Sequence, residues 1–194
     1  MTSASRIGLF GGTFDPVHLG HVAMAEAAHE ALKLDWVHYL PCRISPHKLD
    51  QSPTSAEHRL EMLKLASANQ DWAVVNDIET RREGPSYSWM TAEDMSRNMP
   101  ESRLFWIMGS DQWEALERWN QPQRLANCVE FVVFHRGREP EPRAGYRLRP
   151  LPAVHEAMAT EIRKRLVAGE KKHLWLDEQV AGYIEQHRLY TATS

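Results

Sequence analysis

Apolar residues in this chain fall into short unbroken runs, separated by longer stretches in which they recur every three or four positions. The short runs are Arg6 to Phe10, Trp36 to Leu40 (closed by Pro41), Trp72 to Val75, Leu104 to Met108 and Val129 to Phe134. Near-continuous runs of this length predict strands buried on both faces. The stretches between them predict helices. Val22 to Leu34 is Ala-rich and apolar at helical spacing. Thr54 as N-cap with Glu57 at N3 fits a capping box ahead of Leu60, Leu63 and Ala66. Arg59 and Glu61 there are expected on a solvated face. Ser86 opens a helix that runs to about Asn98 before Pro100, and Gln112 to Glu117 form another. Thr160 is a plausible N-cap for a helix ending at Gly169, and a last helix begins after Asp177, carrying Val180, Tyr183 and Ile184 inward. Asp77 to Pro85 and Arg138 to Pro152 are expected as loops, with a short strand beginning at Leu148. Helices alternating with buried strands predict βαβ units. The expected fold class is α/β: one domain over residues 1–194, with a doubly wound, mostly parallel sheet, helices on both faces and C-terminal helices. Its ligand site belongs at the carboxyl ends of the strands, where the strand order reverses.

One connection carries chemistry. The first strand runs into Gly11-Gly12-Thr13-Phe14-Asp15-Pro16-Val17-His18-Leu19-Gly20-His21 and then into a helix. A tight turn into a helix N-terminus collects backbone N–H groups at one spot, which suits a phosphate. His18 and His21 are three apart and can face the same anion. Gly20 between them lets a ligand approach the backbone. An ordinary turn, half of a metal site and a dinucleotide loop are the alternatives, and the G-x-G-x-x-G pattern of the last is absent.

Composition narrows the partners. Lys and Arg number 23 against 26 Asp and Glu in 194 residues, a net charge of −3. That balance argues against a dedicated nucleic-acid binder, whereas a small anion needs only a local positive cluster. Cys42 and Cys128 are too few for a disulfide framework and fit a reducing cytoplasm. No apolar run is long enough to span a membrane, and Met1 to Ser5 lack the apolar region of a signal peptide.

The string GGTFDPVHLGH resembles the signature of the H-x-G-H nucleotidyltransferase superfamily, and more narrowly that of bacterial nicotinate-nucleotide adenylyltransferases. The resemblance implies a Rossmann-like nucleotidyltransferase fold. It also implies transfer of the adenylyl group of ATP to nicotinate mononucleotide, giving nicotinate adenine dinucleotide and pyrophosphate. By that resemblance His18 and His21 act on the transferring phosphoryl group, and His47, Lys48 and Arg163 hold the departing phosphates. Gly11, Gly12, Thr13, Phe14, Gly20, Gly109, Asp111 and Thr160 belong to the ATP site. Asp15, Ser86, Tyr87, Ser88, Trp119 and Asn120 belong to the pyridine nucleotide, with Trp119 against the ring and backbone N–H groups near Ser88 and Asn120 on the carboxylate. Mg2+ is expected on the ATP phosphates, with few or no protein ligands. The chain departs from the family pattern Ile-Ser-Ser-Thr-x-Ile-Arg, with Met158 and Ala159 where two serines stand, and it has Ser88 for a threonine. The expected partners are ATP and nicotinate mononucleotide, not nucleic acid or membrane. The oligomeric state stays open, a homo-oligomer included. The rival readings are adenylation of nicotinamide mononucleotide or phosphopantetheine, cytidylyl transfer, a non-catalytic nucleotide sensor, and an RNA-binding relative.

Overall fold

Five near-continuous apolar segments and one proline-rich edge segment pair into a single parallel sheet. In chain order the strands are β1 (Arg6–Gly12), β2 (Trp36–Pro41), β3 (Ala73–Val75), β4 (Arg103–Gly109), β5 (Val129–His135) and β6 (Leu148–Pro152). They lie in the order β3-β2-β1-β4-β5-β6, and every pairing is parallel. The computed structural model describes residues 4–46, 53–170 and 175–191. The helices are α1 (Leu19–Leu32), α2 (Ala56–Ala66), α3 (Ile78–Arg81), α4 (Ser88–Asn98), α5 (Ser110–Ala115), α6 (Pro122–Cys128), α7 (Ala159–Val167) and α8 (Glu178–Gln186), with a 3-10 turn at Leu116–Arg118.

Side chains alternate across each strand, so the sheet has two buried faces. Phe105 and Ile107 face a cluster with Ala25 and Ala28 of α1, Met62 and Leu63 of α2, Ile162 of α7, and Val180 and Ile184 of α8. Leu104, Trp106 and Met108 face Ala92 and Met95 of α4, Trp113 of α5, and Leu125 and Ala126 of α6. This is the doubly wound α/β arrangement expected from the strand pattern. Its strand order reverses between β1 and β4, the position where such sheets open a crevice. Among the described residues no helix is long and apolar enough to cross a membrane.

Several element boundaries differ from expectation, each for a local reason. α1 begins at Leu19 rather than Val22 because His18 caps it. The cap of α2 is Ser55, not Thr54. Thr54 is occupied elsewhere: its N–H donates to Asp15 and its carbonyl accepts from Arg59. α4 begins at Ser88, two residues past Ser86, whose hydroxyl accepts the Arg43 N–H and whose own N–H donates to the Ile44 carbonyl. α5 starts at Ser110, directly from β4. α7 starts at Ala159 with Met158 at the cap position, so Thr160 lies inside the helix and does not cap it. The expected loop 77–85 holds the one-turn α3. α6 was not anticipated, although Pro122 at its start is a recognised opening signal. β6 begins at Leu148 as expected. Its Pro150 and Pro152 are tolerated because the strand lies at the sheet edge.

Candidate active site

β1, β4, β5 and β6 all end at one cleft of about 760 Å3. Its wall takes Gly11 to Asp15 from the turn after β1, Gly109 and Asp111 from the end of β4, and Phe134 and Arg136 from the end of β5. His155 and Met158 to Thr160 come from the chain after β6, and His18, Gly20, His21, Arg163 and Tyr190 also line it.

The turn after β1 is shaped by packing. Phe14 has a positive φ of 50°, unusual for a bulky residue. It is held there because its buried ring meets Phe10, His21 and Tyr39 edge-on, with centroids 5.5, 4.9 and 5.9 Å away. Asp15-Pro16 is a cis peptide. A Cβ on Gly11 would stand 2.7 Å from the Trp106 ring. A Cβ on Gly20 would stand 3.0 Å from His18 Nδ1 and 3.3 Å from Ala157 Cβ. The space beside Gly20 is therefore filled by His18 and the segment before α7. This glycine serves that packing and also lies on the cleft wall.

The two histidines form a reciprocal cap. The His21 N–H donates to His18 Nδ1 and the His18 N–H donates to His21 Nδ1, each at 3.3 Å. Both Nδ1 atoms are acceptors, so each neutral ring carries its proton on Nε2. The rings stack with centroids 3.7 Å apart and planes 21° from parallel. Two Nε2–H donors are thus preset side by side in a cleft at a helix start. Burial and the neighbouring His155 lower the His18 pKa to about 4. Burial and His18 hold His21 well below the usual imidazole range. Both are neutral at pH 7. Of the first α1 amides, Leu19 donates to the Trp175 carbonyl and His21 to His18. The donors left at this helix start are therefore chiefly the imidazoles rather than backbone amides.

Three residues bolt the turn in place. Arg59, expected on a solvated face, is only 1% exposed. Its Nε donates to the Thr54 carbonyl and its Nη1 to the Thr13 and Cys42 carbonyls, at 2.7, 2.9 and 2.7 Å. Spacing placed it on the helix surface; the α2 N-terminus instead docks under the β1 turn, where three carbonyls need donors. Arg163 Nη1 donates to the Asp15 carbonyl at 2.6 Å. Tyr190 donates its hydroxyl to Asp15 Oδ1 at 2.6 Å, and burial beside that carboxylate raises the phenol's pKa.

The expected site residues divide into two groups. Gly11, Gly12, Thr13, Phe14, Asp15, His18, Gly20, His21, Gly109, Asp111, Thr160 and Arg163 line the cleft together. Ser86, Tyr87, Ser88, Trp119 and Asn120 are not on its wall and lie on the α4–α6 side of the sheet. The two segments are tied through a neighbour: the Trp89 indole donates to Asn120 Oδ1 at 2.8 Å, linking the start of α4 to the segment before α6. Trp119 packs partly buried against the core of that face. His47 and Lys48 lie outside the described residues. Arg136, His155, Tyr190 and Arg59 were not anticipated. Arg136 follows β5 directly, so the strand-end rule applied at β2 and β4 would have found it.

Comparison with known proteins agrees with this geometry. A sequence model of the cytidylyltransferase-like family matches residues 9–165, and the chain belongs to that family of nucleotidyltransferases. A probable nicotinate-nucleotide adenylyltransferase of Thermus thermophilus is 39% identical over 186 residues, covering 95% of this chain and 99% of that protein. The nicotinate-nucleotide adenylyltransferase of Bacillus subtilis is 34% identical over 192 residues, covering 95% and 98%. Within the wider family the chain is a member of the nicotinate-nucleotide adenylyltransferases. A solved structure of the nicotinic acid mononucleotide adenylyltransferase of Plasmodium falciparum, complexed with NaAD, superposes with a TM-score of 0.79. It covers 96% of this chain and 97% of its own at 18% identity, which speaks to the fold.

Proposed function

We propose that this chain transfers the adenylyl group of ATP to nicotinate mononucleotide, with the cleft at the β1/β4 reversal as the reaction site and residues 1–194 acting as one domain. The observation that carries the reading is the stacked His18 and His21 pair, with both Nε2–H donors preset by the reciprocal cap. An oxygen of the mononucleotide phosphate attacks the α-phosphorus of ATP. A new P–O bond forms, the bond to the β-phosphate bridging oxygen breaks, and pyrophosphate leaves. The attacking phosphate is already ionised near neutral pH, so no strong general base is required, and the protein contributes alignment and charge stabilisation. His18 and His21 donate to the non-bridging oxygens of the α-phosphate. As negative charge gathers on those oxygens, the neutral imidazoles become better donors without first losing a hydration shell.

Arg163 reaches the cleft from α7 and, with Thr160, His47 and Lys48, holds the β- and γ-phosphates. Gly11 to Phe14, Gly20 and Gly109 border the nucleotide, and Asp111 accepts from a ribose hydroxyl. ATP enters as its Mg2+ complex. Among the described residues the carboxylates on the cleft wall are Asp15 and Asp111, and Asp15 is already bonded to Tyr190 and Thr54. This favours a metal carried on phosphate oxygens. The pyridine nucleotide uses Asp15 and the Ser86-Tyr87-Ser88 and Trp119-Asn120 pair of segments, and the Trp89–Asn120 bond supports grouping those two.

Pyrophosphate release measured with ATP and each of nicotinate mononucleotide, nicotinamide mononucleotide and phosphopantetheine tests the reading. Turnover is expected with the nicotinate substrate and strong preference for it over the amide. Absence of pyrophosphate with every acceptor would favour a non-catalytic nucleotide binder.

A further inference from the structure

His18 and His21 do not exhaust the imidazoles of the cleft. His155 stands on its wall, in the segment between β6 and α7. The Ala157 N–H donates to His155 Nδ1 at 3.0 Å, and Arg136 donates to the His155 carbonyl at 3.2 Å. The first bond has the same consequence as the cap on α1: Nδ1 is an acceptor, so the neutral ring carries its proton on Nε2. The second anchors the backbone that presents the ring. Ala157 also fills the space beside Gly20, so this segment is packed directly onto the turn that carries the other two histidines. His155 is close enough to His18 to help lower its pKa. Beyond it, Met158 and Ala159 offer no side-chain donor at the start of α7, where the cleft continues.

We propose that His155 is a third imidazole of the nucleotide site, its Nε2–H donating to a phosphate oxygen of ATP alongside His18 and His21. This rests on the adenylyl-transfer reading above. The three rings share one design: a backbone N–H fixes the tautomer through Nδ1 and leaves Nε2–H for the ligand. His155 thereby supplies, three residues ahead of the α7 cap position, a polar donor that Met158 and Ala159 lack.

Two amide substitutions separate the two nitrogens. In His155→Asn, the side-chain oxygen can still accept from the Ala157 N–H, but nothing reaches as far as Nε2. In His155→Gln, the amide nitrogen takes the Nε2 position. Loss of one hydrogen bond to a charged phosphate is expected to raise the ATP KM by about 10-fold or more in His155→Asn. The nicotinate mononucleotide KM and the melting temperature should stay unchanged. His155→Gln should recover ATP KM to within about 3-fold of the wild type. Affinity for an ATP analogue with a methylene between the α- and β-phosphates, measured by calorimetry, should follow the same order. Wild-type ATP parameters in His155→Asn would overturn the proposal and leave His155 with a loop-capping role. An equal rise in KM for both substrates would also overturn it. A wild-type protein that neither binds the analogue nor releases pyrophosphate would sink the adenylyl-transfer reading and this one with it, and that result is distinct from the other two.

Discussion

Replacing Arg59 by methionine keeps an apolar stem in the α2 N-terminus and removes the guanidinium. Three bonds disappear, to the carbonyls of Thr13, Cys42 and Thr54. A hydrogen bond from a charged group contributes about 1.5–3 kcal/mol net. The simple sum overstates the loss, because the substitution also removes a buried charge whose desolvation opposed folding. Each buried carbonyl left without its donor costs about 1–3 kcal/mol, and with the recovered desolvation offsetting part of the total, the expected destabilisation of Arg59→Met is about 3–5 kcal/mol. For a chain of this size, 1 kcal/mol corresponds to about 2–4 °C, so the melting temperature should fall by about 6–20 °C. Urea denaturation at pH 7.5 gives the free energy directly, and scanning calorimetry gives the temperature. At a temperature where the variant is still folded, kcat should also fall, because Thr13 is part of the cleft wall and its carbonyl is no longer held. A loss below about 1 kcal/mol would refute the claim that these bonds hold the turn. Normal stability with a low kcat would instead mean that Arg59 matters through its charge.

His18→Asn keeps a side-chain acceptor for the His21 N–H and removes Nε2–H, so kcat should fall by about 10²-fold or more with little change in stability; an unchanged kcat removes His18 from the phosphate role. The same residue makes stability depend on pH. Its pKa is about 4 folded against 6.5 for an ordinary imidazole, so between those values the unfolded chain binds more protons, and stability falls as pH drops through that window. Urea melts at pH 7.5 and pH 5 should show the wild type losing about 2 kcal/mol more than His18→Asn, and equal losses would contradict the burial argument. On the pyridine side, Trp119→Ala should weaken both the acid and the amide mononucleotide, while Ser88→Ala should keep the acid preference, because backbone N–H groups are assigned to the carboxylate. That preference is expected at about a hundred-fold, from two mismatched donors at about 1–3 kcal/mol each, and kcat/KM for both substrates on both variants checks it.

Much of the fold was legible because strand and helix signals are local. The five apolar runs became β1 to β5, and the alternation of runs with helical stretches implied a parallel, doubly wound sheet with a site at its strand ends. The turn at Gly11 to His21 was legible for the same reason: strand, turn and helix follow one another without a long-range contact. The helix starts were less so. Thr54, Ser86 and Thr160 have the chemistry of caps, but a cap forms only if its backbone is free of other partners. Asp15, Arg43 and Ile44, all distant in sequence, and Arg59, five residues on from Thr54, had already engaged two of the three.

Long-range docking decided the rest. Periodicity put Arg59 on the outside of α2, and only the seating of that helix under the β1 turn makes it buried. Tyr190 reaches Asp15 across 175 positions of chain, and Arg163 reaches the Asp15 carbonyl across 148. The proton positions on His18 and His21 were also beyond composition or spacing. Residue type supplies an imidazole that can donate from either nitrogen, and the reciprocal cap selects Nε2 on both. The motif thus names the groups that can meet a phosphate, and the fold sets which atom of each is presented to the cleft, because a tautomer follows from where backbone N–H groups stand in space.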